Sequence, residues 1–253
     1  MAAERLACYD AAAKAAAIPA PLPLTKNQEP FSLLAYQLGM TQEEFRKVPY
    51  PDRQKYPSGH AICSSDEERK AIKYGSPELS PSGLFGRAGV IFCNYYIFKR
   101  DIPMSNDPTM RRFELEQRKR DGSNLTLWNI NFMGFGNYDS VFMFTPSTLA
   151  KENAQRLYFI RINTRTEHFD EVIAGLAAKF GPPSDRTNSK VKNRLGAEFD
   201  NLTVKWSNGV STILAEKYSG SLEMMSVSFL HDALLLAANN AAEQAGKALG
   251  GKL

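Results

Sequence analysis

Histidine is scarce in this chain: three among 253 residues. His60, His168 and His231 never approach the i, i+4 spacing that sets two imidazoles on one helix face, so a zincin-type site is excluded. Cysteine is equally sparse. Cys8, Cys63 and Cys93 include no C-x-x-C pair, which argues against structural zinc and thioredoxin-like chemistry. A strong charge of one sign is also lacking. Lys and Arg number 31 against 27 Asp and Glu, a net charge of +4, whereas nucleic-acid binders gather far more positive charge on one face. No apolar run approaches the roughly 20 residues of a membrane-spanning helix; Ala233 to Ala238 soon meets Asn239 and Asn240. The G-x-S-x-G, Walker A and dinucleotide fingerprints are missing. No catalytic, cofactor-binding or metal-binding residue is therefore assigned, and no cofactor is expected.

What is present is an ordinary globular composition, 43% hydrophobic and 23% charged, enough to build a core. Residues 2–17, mostly Ala, read as a helix, and Pro19, Pro21 and Pro23 make an extended linker after it. Thr41-x-x-Glu44 is a capping box for a short helix. Residues 50–87 are loop-like, with a surface helix expected from Ser65 to Tyr74 and a turn over Gly83–Gly89. Val90 to Phe98 is dense in aromatic and β-branched residues and reads as a buried strand. Residues 99–123 are polar and read as an exposed loop or a solvated hairpin.

Alternation then sets in. Thr126, Trp128, Ile130 and Phe132 trace one strand, and Gly134-Phe135-Gly136-Asn137 a turn. Tyr138, Ser140, Phe142 and Phe144 trace a second strand, and Tyr158, Ile160 and Ile162 a third. Phe169, Val172, Ile173, Leu176, Ala177 and Phe180 fall on one face of a helix, with Thr164-x-x-Glu167 as its start signal and Gly181-Pro182-Pro183 as its stop. A basic loop follows from Arg186 to Arg194. Leu202, Val204 and Trp206 lead to the hairpin signal Asn208-Gly209. Ser211, Ile213 and Ala215 form the return strand, and Glu223, Met225, Val227 and Phe229 form one more. Asp232 opens an Ala-rich helix that ends at Gly250-Gly251.

The expected fold class is α+β, with antiparallel sheet and helices packed on one face, built as two diverged helix-plus-three-strand units. The parts are an N-terminal helix and linker (1–24), a first unit (25–163) with a long insertion (50–123), a second unit (164–231) and a C-terminal helix (232–253). This order, with Leu38-Gly39-Met40-Thr41 and Phe180-Gly181-Pro182-Pro183, resembles the β-lactamase-inhibitor-like and outer-membrane-assembly lipoprotein folds. Glu4-Arg5-Leu6-Ala7-Cys8-Tyr9-Asp10-Ala11 resembles the first mature residues of exported Gram-negative proteins. It implies a periplasmic protein whose signal peptide was replaced by Met1; a cytoplasmic protein with a helical start is the alternative.

In an exported protein Cys63 and Cys93 are the best disulfide pair, leaving Cys8 free; three inert thiols are the competing reading. His60 beside Cys63 also suggests a Cys/His dyad, which the disulfide would preclude. Arg111, Arg112, Arg118, Lys119 and Arg120 form the one basic run, diluted by Glu114 and Glu116. Phe135, between glycines, is the aromatic most suited to anchor a partner. The leading expectation is an envelope protein that binds another protein, as accessory or inhibitor. A hydrolase with a site assembled from distant residues, or a nucleic-acid binder using residues 111–120, are the alternatives. Nothing bears on oligomeric state.

Overall fold

The computed structural model describes residues 28–51, 53–67, 90–121, 125–127, 130–135, 137–146, 149 and 155–250. The helix over 2–17, its proline linker, Cys8, the Gly83–Gly89 turn, Trp128 and all but the start of the Ser65–Tyr74 segment lie outside these residues. In chain order the strands are β1 (Ser32–Leu33), β2 (Tyr36–Gln37), β3 (His60–Cys63), β4 (Ile91–Phe98), β5 (Leu125–Leu127), β6 (Asn137–Phe144), β7 (Leu157–Arg165), β8 (Asp185–Lys192), β9 (Glu198–Ser207), β10 (Ser211–Glu216) and β11 (Met224–His231). The helices are α1 (Gln42–Lys47), α2 (Pro108–Asp121), α3 (Phe169–Phe180) and α4 (Asp232–Gly250). The fold is α+β. Apart from the β1–β2 ribbon, the strands form one nine-stranded sheet in the order β3-β4-β6-β7-β11-β10-β9-β8, and β5 pairs with β4. Every described pairing is antiparallel.

The hydrophobic pattern explains how each end of the sheet is covered. In β10 and β11 the core-facing residues alternate along each strand, and Ile213, Ala215, Met225, Val227 and Phe229 all point into one core. That core is closed by α3 through Phe169, Val172, Ile173 and Leu176, and by α1 through Phe45. β4 instead carries apolar residues at nearly every position, and β6 does so from Val141 to Phe144. Cys93, Tyr95 and Phe142 join the same core, while Phe92, Tyr96, Val141 and Met143 enter a second one with Ala238, Leu234 and Leu235 of α4. Period-two geometry places these alternating sets on opposite faces. The expectation of helices on one face therefore holds for α1 and α3 and needs correction for α4, which covers the opposite face at the β4–β6–β7 end.

Local signals worked where they engaged the backbone. Thr41 and Glu44 form the full capping box, with Thr41 N–H donating to Glu44 Oε2 at 2.7 Å and Glu44 N–H to Thr41 Oγ1 at 3.1 Å. Asn208 Oδ1 accepts from the amides of Val210 (3.1 Å) and Ser211 (2.8 Å), and Gly209 takes a φ of 79°.

Four further expectations are corrected. Thr164 does not cap α3: it is still paired with Met225 in β7, and a 3-10 turn over Thr166–His168 intervenes. The basic loop after α3 is strand β8, paired along its whole length with β9. Of the strand traced through Phe132, Leu125–Leu127 form β5 while Ile130 and Asn131 are not in a strand, and the turn that follows centres on Met133 and Gly134 (φ 55° and 83°), bridging Phe132 to Phe135. Residues 108–121, within the segment read as loop or hairpin, are helix α2.

Candidate functional site

α2 begins where Asp107 Oδ1 accepts from the amides of Thr109 (2.8 Å) and Met110 (2.9 Å). Pro108 occupies the first helical position, where its missing N–H costs nothing. Asp107-Pro108 was thus the overlooked start signal. The residues that follow are good helix formers without an apolar stripe, which is why no periodicity showed.

The helix buries almost nothing. Met110 and Phe113, one turn apart, are 51% and 56% exposed, and Leu115 is exposed as well. Arg112 lies at 4.0 Å from Glu116 across one turn. Arg111 and Arg118, seven residues apart, share a face. Arg118 Nη2 donates to the Ile102 carbonyl at 3.1 Å. Between them Glu114 turns onto the Ser105 amide, which donates to its Oε2 at 3.0 Å. Facing this side, Arg100 sits 4.6 Å over the Phe98 ring and 3.8 Å from the Asp101 carboxylate. Arg100, Arg111 and Arg118 line a cavity of about 520 Å³ walled by residues 102–106. The structure thus brings Arg111 and Arg118 together, sets Arg112 elsewhere on the helix, and adds Arg100, which sequence reasoning missed because it precedes the run.

Phe135 lies apart from this patch. It is half-buried, packs against the main core, and stacks on His168 with ring centroids 4.2 Å apart. His168 also stands 3.5 Å from Glu171.

Cys63 and Cys93 are joined as a disulfide between residues directly opposite in β3 and β4. With its sulfur in that bond Cys63 offers no thiol to His60. The Cys63 amide donates to Asp66 Oδ2 at 2.9 Å, and Arg46 of α1 holds the same carboxylate at 2.7 and 2.8 Å. The disulfide is thereby linked to a cleft of about 610 Å³ between α1 and β3, with Tyr50 and Tyr95 in its wall and Arg46, Lys47, Arg53 and His60 around it. Arg46 is committed to Asp66, and Lys47 to Glu43 at 2.6 Å. The Tyr36 hydroxyl donates to that of Tyr95 at 2.9 Å. Burial pushes the Tyr95 phenol in this wall up to about 12 and that of Tyr36 behind it higher still, so both stay neutral.

Among the described residues no group of three or more His, Cys, Asp or Glu is placed to hold a metal ion, and no helix is long and apolar enough to cross a membrane. The chain matches no family model, no curated protein and no solved structure.

Proposed function

We propose that the chain is an exported envelope protein that acts by binding another protein, and that α2 is the contact. The observation that carries this reading is a helix of 14 residues standing clear of both cores with Met110 and Phe113 in solvent. Large apolar side chains grouped on an otherwise charged helix mark a surface that is completed by a partner. Arg112 lies beside Phe113 on the same exposed helix, so the fitting partner presents apolar side chains edged by a carboxylate. The Cys63–Cys93 disulfide supports the exported half of the proposal, since such bonds persist in oxidising compartments. The order of helices and sheet, which resembles β-lactamase-inhibitor-like and outer-membrane-assembly lipoprotein folds, points the same way.

The test compares the parent with a Met110→Ser/Phe113→Ser variant, both used to capture partners from envelope extract and both read by mass spectrometry. A protein held by the parent and lost by the variant is the expected result. Equal capture by both, or capture by neither, would remove α2 as the contact. Neither side chain is buried, so the variant keeps the fold.

A further inference from the structure

We infer that the cleft between α2 and residues 99–107 is a binding site for a phosphate group carried on a small organic molecule. Every ionisable side chain lining the cavity is a guanidinium: Arg100, Arg111 and Arg118. Each carboxylate nearby already holds a donor, and none of them faces Arg111 or Arg118 as an ion-pair partner. Asp107 caps the helix, Glu114 accepts the Ser105 amide, and Asp101 accepts the Ser58 hydroxyl while facing Arg100. Among the described residues the Arg111 guanidinium has no hydrogen-bond or ion-pair partner, and Arg118 has only a neutral carbonyl. Arg111 and Arg118 thus keep most of their donors for a ligand, and Arg100, ion-paired to Asp101, adds a third guanidinium to the hollow.

The dilution of the basic run by glutamates, which weakens the case for anion binding in the sequence, does not apply in space. Helical spacing puts Arg111 and Arg118 on the same side, Glu116 goes to Arg112, and Glu114 is held by the backbone. Phosphate suits the site better than carboxylate. It offers three terminal oxygens in a tetrahedral array and close to two negative charges, so three guanidiniums can each engage it; a carboxylate has two oxygens in one plane. A volume of about 520 Å³ exceeds a lone phosphate, and Ile102, Pro103 and Met104 give the remainder an apolar wall. This site uses the arginine face of α2 and not the Met110–Phe113 strip, so it stands or falls separately from the protein-binding proposal.

The test follows the Ser105 and Asn106 amide resonances of the full chain at low, constant ionic strength. Inorganic phosphate, phenyl phosphate, benzoate and a short single-stranded oligothymidine are titrated in turn. Both phosphates are expected to give saturable shifts, with phenyl phosphate the tighter; equal affinity for the two would overturn the organic carrier and leave free phosphate as the ligand. Arg111→Gln/Arg118→Gln should weaken both by roughly tenfold or more, and Arg112→Gln should leave them unchanged. Shifts that never saturate, or that survive in the double variant, would overturn the inference. So would benzoate binding as tightly as phenyl phosphate, or oligothymidine binding more tightly than either.

Discussion

Gly59 shows how a single hydrogen can be a packing requirement. A Cβ there would lie 2.1 Å from the Tyr50 ring, which is buried beside Tyr95. Gly59→Ala should therefore cost about 1–3 kcal/mol, the usual penalty of overpacking, read as a lower urea midpoint at unchanged slope. His231 is a second case. Burial lowers its pKa, against an opposing pull from Asp232. A histidine depressed in the folded state contributes stability that is present above the unfolded value of about 6.5. That contribution is lost as pH falls through the folded value. The urea midpoint of the parent should fall between pH 7.5 and pH 5 by more than that of His231→Gln; equal slopes for the two would refute the assignment.

At the scale of elements, the Thr41–Glu44 box predicts that Thr41→Ala destabilises the protein by about 1 kcal/mol, measurable by thermal or urea unfolding. This short helix was legible because its signal is chemical and local. α3 was legible for a different reason: one face is buried, so its periodicity survives in the composition. β8 shows the opposite. Its burial is almost uniformly exposed, so neither face imposes alternation on the sequence. The strand exists through its ladder to β9 and through cross-strand pairs, Lys190 with Asp200 at 2.6 Å and Lys192 with Glu198 at 3.1 Å. The arginine cleft was half legible. The spacing of Arg111 and Arg118 was visible, but their shared face required knowing that the segment is helical.

For the whole molecule, the disulfide ties residues 30 apart in sequence across the outermost strand pair at that end of the sheet. Closing a loop of that length in the unfolded chain contributes about 3–4 kcal/mol in the loop-entropy description. Cys63→Ala/Cys93→Ala should lower stability by that order in denaturant titrations. Because Cys63, Asp66 and Arg46 are joined in series, the same variant should loosen the α1 cleft, seen as faster amide exchange at Cys63→Ala and its neighbours in β3. No sequence signal foretold this series, because Asp66 and Arg46 are distant in the chain and meet only through the fold.

The unequal covering of the sheet has a consequence in time. β4 and the Ser140–Phe144 part of β6 are enclosed on both faces, whereas β10 and β11 send their core residues to one face and β8 is exposed on both. Opening the backbone costs more where more apolar surface must be wetted. Deuterium should therefore enter β8 first, then the one-sided strands, and β4 and β6 last, so that the sheet records its own packing as a gradient of clocks running from one edge inward.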